Sequence, residues 1–175
     1  DILMPGYKHH PFGNVDAVCR ENSMTVIAPS KTFNLAGLQA TILITPDPRM
    51  RLLYENVLAR NSIPRPNLFA ITGLEAAYRH GERGLDELLV YIKGNYDFLV
   101  NYFQERLPQV RVMPLEGTFL AWMDFSALEP DPYVLQKRML TEANVWLDEG
   151  WVFGPEGNGF ERLVLACPRS ILKEA

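Results

Sequence analysis

An α/β region followed by a small α+β unit is the architecture this sequence predicts, and three features predict it. Two short runs rich in β-branched residues, "SMTVIA" (23–28) and "ATILIT" (40–45), flank a polar loop. Apolar residues at helical spacing then dominate from residue 47 to residue 103. After Pro108 the texture changes to short alternating strands with one helix among them.

Taken in order, both early runs read as buried strands, joined by the loop that carries Lys31. "PDPRMRLLYENVLARN" (46–61) opens a helix with Asp47 as N-cap and Pro48 in the first turn. Pro64 and Pro66 interrupt the pattern, and "NLFAITGLEAAYRHG" (67–81) resumes it as a helix ending at Gly81. Leu85, Leu88, Leu89, Ile92, Tyr96, Leu99 and Phe103 mark one long amphipathic helix of about 20 residues, or roughly 30 Å, that tolerates Gly94. "VRVMPL" (110–115) and "GTFLAWMDF" (117–125) read as strands, and "PYVLQKRMLTEA" (132–143) as a helix. "NVWLD" (144–148) and "ERLVLAC" (161–167) read as strands, and "PRSILKEA" as a last helix with Pro168 in its first turn. A domain boundary is expected inside the long helix, near residues 90 to 100.

The bulk numbers narrow the function. With 175 residues, 47% of them hydrophobic, the chain can bury one sizeable core or parts of two. A net charge of −4 and the lack of a basic run argue against a nucleic-acid or anionic-membrane partner. No apolar run approaches the roughly 20 residues a membrane helix needs, and no secretory leader opens the chain. Cys19 and Cys167 have neither metal-site nor disulfide-framework spacing, so no metal is expected and a reducing cytoplasm is the default. His9, His10 and His80 share no metal spacing and read as surface or loop residues. "GPEGNG" (154–159) does not lead from a strand into a helix, so it reads as a turn and not a phosphate cradle. Trp122 reads as a core aromatic and Asp124 as a strand-end polar group, while Trp146 and Trp151 read as packing or substrate-side bulk.

Lys31 admits two readings. A strand that ends and releases a lysine into a loop puts an amine at a sheet's carboxyl edge, where α/β proteins bind ligands. Ser30 and Thr32 add hydroxyls for an anionic group, and Gly37 permits close backbone approach. The plainer reading is a solvated loop lysine at a strand end.

The wording of the stretch bears on that choice. "APSKTFNLAGLQ" resembles the cofactor-lysine segment of fold-type-I pyridoxal 5′-phosphate (PLP) enzymes of the aminotransferase class I/II superfamily. Within that superfamily the chain resembles the MalY/PatB-type C–S lyases, or cystathionine β-lyases. "PGYKHHPF", "NLFAITGLEAAYRHG", "LDELLVYIKGNYDFL", "EGTFLAWMDF" and "GFERLVLACPRSIL" resemble the same subgroup in the same order. The resemblance implies the C-terminal part of a PLP-dependent transferase (fold type I) large domain over residues 1–95, and the small α+β C-terminal domain over residues 96–175. It implies PLP as cofactor, an amino-acid substrate and a homodimer.

By the same resemblance, Lys31 bonds the cofactor through its amine and removes the substrate Cα proton. Ser30 contacts the cofactor phosphate, and Arg162, just before "RLVLA", holds the substrate carboxylate. A planar guanidinium suits that last task because it grips a carboxylate with two parallel hydrogen bonds. Arg169 is expected to play a structural role. The arginine that many class I aminotransferases place eight residues after the lysine is Gln39 here, and a frequent serine three residues before it is Ala28; both departures favour the lyase subgroup.

The family's pyridine-ring aspartate would lie five residues before Asp1, and its glycine-rich phosphate turn and ring-stacking aromatic are also absent. The expectation is therefore a C-terminal half that is inactive alone and that leaves apolar faces uncovered. The implied reaction is α,β-elimination of a sulfur-containing amino acid. Transamination by the same lysine and arginine is the alternative, and a non-catalytic interaction module is an alternative of another class.

Overall fold

The structure, a computed structural model, describes residues 2–63 and 66–175. Asp1 and Pro64, on which two of the readings above fall, lie outside the described residues. Two compact units emerge: residues 8–86, and residues 87–175 with the N-terminal segment 2–7.

The first unit is built on a two-stranded ribbon and helices. A short helix, α1 (Ala17–Glu21), begins where the Asp16 carboxylate accepts the Cys19 N–H. Strands β1 (Thr25–Ile27) and β2 (Ile42–Ile44) pair antiparallel, with Val26 opposite Leu43. They were expected to be buried, but Val26 and Ile44 are exposed, because a ribbon of two strands has no further layer to cover it.

Helix α2 (Pro48–Arg60) starts as expected, with Asp47 accepting the Arg49 N–H and Pro48 at its first position. None of its side chains is buried; Leu52, Leu53 and Val57 face solvent. Helix α3 (Leu68–His80) is capped by Asn67, whose side chain accepts the Ala70 N–H and donates to the Leu38 carbonyl. Gly81 ends it, as expected, with φ −85°. Its missing Cβ serves packing: a methyl there would stand 2.3 Å from the Phe33 ring.

Helix α4 (Glu82–Arg106) runs for 25 residues, five more than the periodicity suggested. From residue 87 onward it belongs to the second unit. That unit holds an antiparallel sheet in the order β3-β4-β6-β5: β3 (Arg111–Val112), β4 (Leu120–Asp124), β5 (Asp148–Glu149) and β6 (Phe160–Val164). The fifth strand begins later than "NVWLD" suggests, and the helix over 132–143 divides into α5 (Pro132–Arg138) and a π-helical turn, Met139–Ala143. The final helix, α6 (Arg169–Glu174), has Pro168 just ahead of its first turn.

One face of this sheet makes the core. Alternation puts Ala121 and Met123 of β4 on the same side as the inward residues of β6, where Ile92 and Leu99 of α4, Leu135 of α5 and Leu172 of α6 meet them. Met4 joins them because the first segment docks on the loop before β4: the Met4 N–H donates to the Glu116 carbonyl and the Thr118 N–H to the Ile2 carbonyl. Asp124, 3% exposed, is held by Arg111 and by the Ser126 hydroxyl. Burial pushes its carboxyl up, but those two partners outweigh burial and hold it below the usual carboxylate value.

Two buried polar groups behave oppositely. Asn95 of α4, fully buried, donates to the Leu165 carbonyl at 2.7 Å and the Cys167 carbonyl at 3.0 Å, and its Oδ1 accepts the Arg169 Nε–H at 2.6 Å. Every polar atom of its carboxamide is thereby used.

Glu161 of β6 is 1% exposed, and its Oε2 has no hydrogen-bond partner. It stands directly opposite Glu149 of β5, whose own carboxylate accepts Gln136 Nε2 at 2.6 Å. Burial first, then the charges of Glu149 and Asp148, push the Glu161 carboxyl up from 4.5 to about 7.

Two outcomes follow. Asn95→Ala orphans two carbonyls and the Arg169 Nε–H, and should cost roughly 3 kcal/mol in urea unfolding of this chain; an unchanged midpoint would contradict that. For Glu161, the native state binds a proton that the unfolded state has already released at pH above 4.5. Stability should therefore fall as pH rises toward about 7 and level off above it. Glu161→Gln should flatten that slope and gain about 2 kcal/mol at neutral pH; unfolding curves from about pH 5 to about pH 8 check it, and a slope like the parent's would refute it.

Candidate functional site

The residues singled out from sequence fall in both units: Ser30 and Lys31 in the first, Arg162 in the second.

After β1 the chain makes a tight turn. Pro29 is buried and its carbonyl accepts the Phe33 N–H at 2.9 Å, while the Ser30 carbonyl accepts the Leu35 N–H at 3.0 Å. Asn34 completes the reversal with φ 54°, a conformation asparagine tolerates better than most residues. Anchored by Pro29 and by buried Thr32, the turn presents Lys31 to solvent. Among the described residues no carboxylate pairs with the Lys31 amine. Phe33, two positions on, packs edge-on against Tyr78 of α3 at 5.6 Å and fixes the turn to that helix.

Arg162 lies in the second unit, on the open face of the four-stranded sheet. Residues 161 and 163 of β6 point to the core, so Phe160, Arg162 and Val164 point away from it. Strand register sets Trp122, Arg162 and Asp148 side by side across β4, β6 and β5. One carboxylate oxygen of Asp148, Oδ2, accepts both the Arg162 Nε–H at 3.1 Å and an Nη2–H at 2.8 Å. The guanidinium carbon sits 4.5 Å from the centre of the Phe153 ring, in cation–π range.

Behind it, Trp122 stacks on Phe160 at 5.4 Å with an interplanar angle of 13°, and meets Phe153 edge-on at 5.8 Å. Trp122 therefore belongs to this open-face cluster and not to the core, because it falls on the outward phase of β4. Arg162 and Asp148 also border an open recess of about 370 Å³ with Trp146, Val164, Cys167 and Ile171. Trp146 is 82% exposed there, so it does not serve as packing.

The glycine-rich "GPEGNG" stretch shapes this face. A methyl on Gly157 would stand 2.0 Å from the Gly150 carbonyl oxygen, so the loop folds on itself only without one. Gly154 (φ 133°) and Gly159 (φ 78°) turn the chain into and out of the segment that leads to β6. It is a turn, as expected, and Phe153 stands just before it, at the end of the 3-10 turn Gly150–Phe153. Asp148 and Phe153 were missed from sequence. The one signal was the strand register, which a β5 misplaced over 144–148 obscured.

Arg169 lies off this face, donating to Asn95 and lying 4.7 Å over the Phe98 ring. His9, His10 and His80 are exposed, and no group of metal-ligating side chains forms among the described residues.

Compared with known proteins, the chain is 40% identical over 174 residues to the cystathionine beta-lyase PatB of Bacillus subtilis, covering 99% of this chain and 45% of PatB. It is 31% identical to protein MalY of Escherichia coli, covering 99% of this chain and 44% of MalY. The chain belongs to the MalY/PatB-type family of fold type I. No family model matches it. Among solved structures, cystalysin from Treponema denticola, which contains a pyridoxal 5′-phosphate cofactor, superposes on 99% of this chain and 44% of its own at a TM-score of 0.94, with 32% identity. This MalY/PatB-type chain thus spans about 45% of the length of the curated relatives it matches.

Proposed function

We propose that this chain is the C-terminal half of a PLP-dependent C–S β-lyase that cleaves sulfur-containing amino acids by α,β-elimination. The observation that carries the reading is Lys31: an exposed amine held on a rigid turn at the end of β1, in a chain 40% identical to a cystathionine β-lyase. The donor set fits the cofactor, because an accessible amine without a carboxylate partner can condense with an aldehyde and the neighbouring Ser30 hydroxyl can donate to a phosphate.

When bound, the cofactor supplies an aldehyde for that condensation and a ring that draws electron density from the substrate Cα. Lys31 would hold it, and its amine, once displaced by the substrate amine, would take the proton from Cα. Arg162 would hold the substrate carboxylate, fixing which Cα bond faces the reaction. The same two residues also serve transamination, so the reaction is decided by assay.

Residues 1–95 are assigned to the large domain and 96–175 to the small one. The homodimer is inferred from the family resemblance; the exposed apolar side chains on α2 and α3, Leu52, Leu53, Leu68 and Phe69 among them, are faces that a second copy or the rest of a longer protein would cover. Two free cysteines accord with a reducing cytoplasm, and among the described residues no helix is long and apolar enough to cross a membrane.

Given cystathionine alone, the full-length protein should release pyruvate, ammonia and a thiol; activity that requires an added 2-oxo acid would instead identify an aminotransferase. Lys31→Ala should abolish turnover and the visible absorbance of bound cofactor, and a borohydride-reducible band surviving in that variant would overturn its role. Arg162→Ala should cost roughly 3–5 kcal/mol in kcat/KM for amino-acid substrates, the scale of removing one partner from a desolvated charge pair; an unchanged kcat/KM would remove Arg162 from the site.

A further inference from the structure

The strongest unassigned feature is the way Arg162 is held. A guanidinium has five N–H donors in a fixed plane, and here its surroundings have taken one edge and one face of that plane. Asp148 Oδ2 occupies the Nε/Nη2 edge, and the Phe153 ring covers a face at 4.5 Å. The Nη1 amine and the second Nη2–H donate to no acceptor among the described residues. These remaining donors form the end-on edge that grips a carboxylate bidentately.

A half-exposed ion pair of this kind adds little stability: the side chains of Arg162 and Asp148 are 31% and 50% exposed. It does remove rotamer freedom from a long side chain that would otherwise have to be ordered at the moment of binding. Asp148 also offsets the charge of the arginine, so that an incoming anion is selected by planar geometry more than by charge alone.

We propose that Asp148 and Phe153 are positioning residues that pre-set the Arg162 guanidinium to receive the α-carboxylate of an amino acid. This rests on the reading of Arg162 as the carboxylate clamp. Asp148 lies directly opposite Arg162 in the β5–β6 register, so the pair is built by the backbone and needs no loop to close. Phe153 comes within 4.5 Å of the guanidinium carbon, at the end of the segment whose backbone the Gly150–Gly157 contact folds back on itself.

The test uses the full-length, cofactor-loaded protein. Dissociation constants for L-alanine and for ethylamine, which lacks the carboxylate, are read from the cofactor absorbance. The ratio of the two affinities should fall about tenfold in Asp148→Ala, a loss of about 1.4 kcal/mol in carboxylate recognition. Asp148→Asn keeps a side-chain oxygen to accept from Nε and Nη2, and should restore the ratio to within about threefold of the parent. Phe153→Leu should lower the ratio about threefold.

An unchanged or increased ratio in Asp148→Ala would overturn the proposal, since it would mean that the aspartate is a bystander or a mask. Failure of Asp148→Asn to restore it would do the same. Arg162→Ala, measured alongside, separates the two levels. If it alone collapses the ratio, positioning fails while the clamp stands; if it leaves the ratio intact, the clamp itself fails.

Discussion

The second unit depends on one carboxamide. Asn95 lies in the middle of α4, fully buried, and ties that helix to the carbonyls of Leu165 and Cys167 just past the end of β6. Its remaining oxygen takes the side chain of Arg169, the first residue of α6. One side chain thus fixes the longest helix, the end of a central strand and the start of the last helix in a single arrangement. An apolar residue there could fill the space but would leave the two carbonyls without their Asn95 donor. Because β6 also carries Arg162, the placement of the proposed clamp is inherited from that lock.

The same strand shows how period-two alternation sorts chemistry. Glu161 and Arg162 are chain neighbours with opposite fates. The acid enters the core, meets Glu149 across the sheet and holds its proton near neutrality; the base turns outward onto an aromatic and acidic bed. A one-residue slip of β6 against β4 would exchange them, burying a guanidinium and exposing the apolar side. The Gly157–Gly150 backbone contact and the left-handed Gly159, both just upstream of β6, constrain where that strand begins. This is why a loop without chemistry of its own still matters to the site.

Much of this was legible in the sequence, and the pattern of success has a physical cause. Helix starts were read correctly where a side chain caps its own backbone, as at Asp47, because such signals are local. Tight turns and the long helix were legible for the same reason. Strand burial was not, because burial depends on what lies across the sheet. Val26 and Ile27 have the composition of buried strand residues yet stand exposed in a two-stranded ribbon. Trp122 failed similarly, since only the register with β6 decides which face of β4 it takes. The family was visible as wording, and Lys31 and Arg162 could be named from it as candidates. The residues that contact the arginine were not, because Asp148 and Phe153 lie 14 and 9 positions before it and meet it only through strand pairing and a folded loop.

On the proposed reading an amino acid makes two demands, one cation for the chemistry at its amine and another to hold its carboxylate. The two tasks call for different cations. Lys31 must exchange bonds, so a compact amine on an accessible turn, without a carboxylate partner, is suited to it. Arg162 must not react at all; it must hold a planar group in one orientation, and a guanidinium pinned on one edge and one face does that. Pairing Lys31 with an acid would hinder its condensation, whereas pairing Arg162 with Asp148 leaves its working edge open and better defined. The contrast in their surroundings, solvent for one and a carboxylate with an aromatic face for the other, follows from that division of labour.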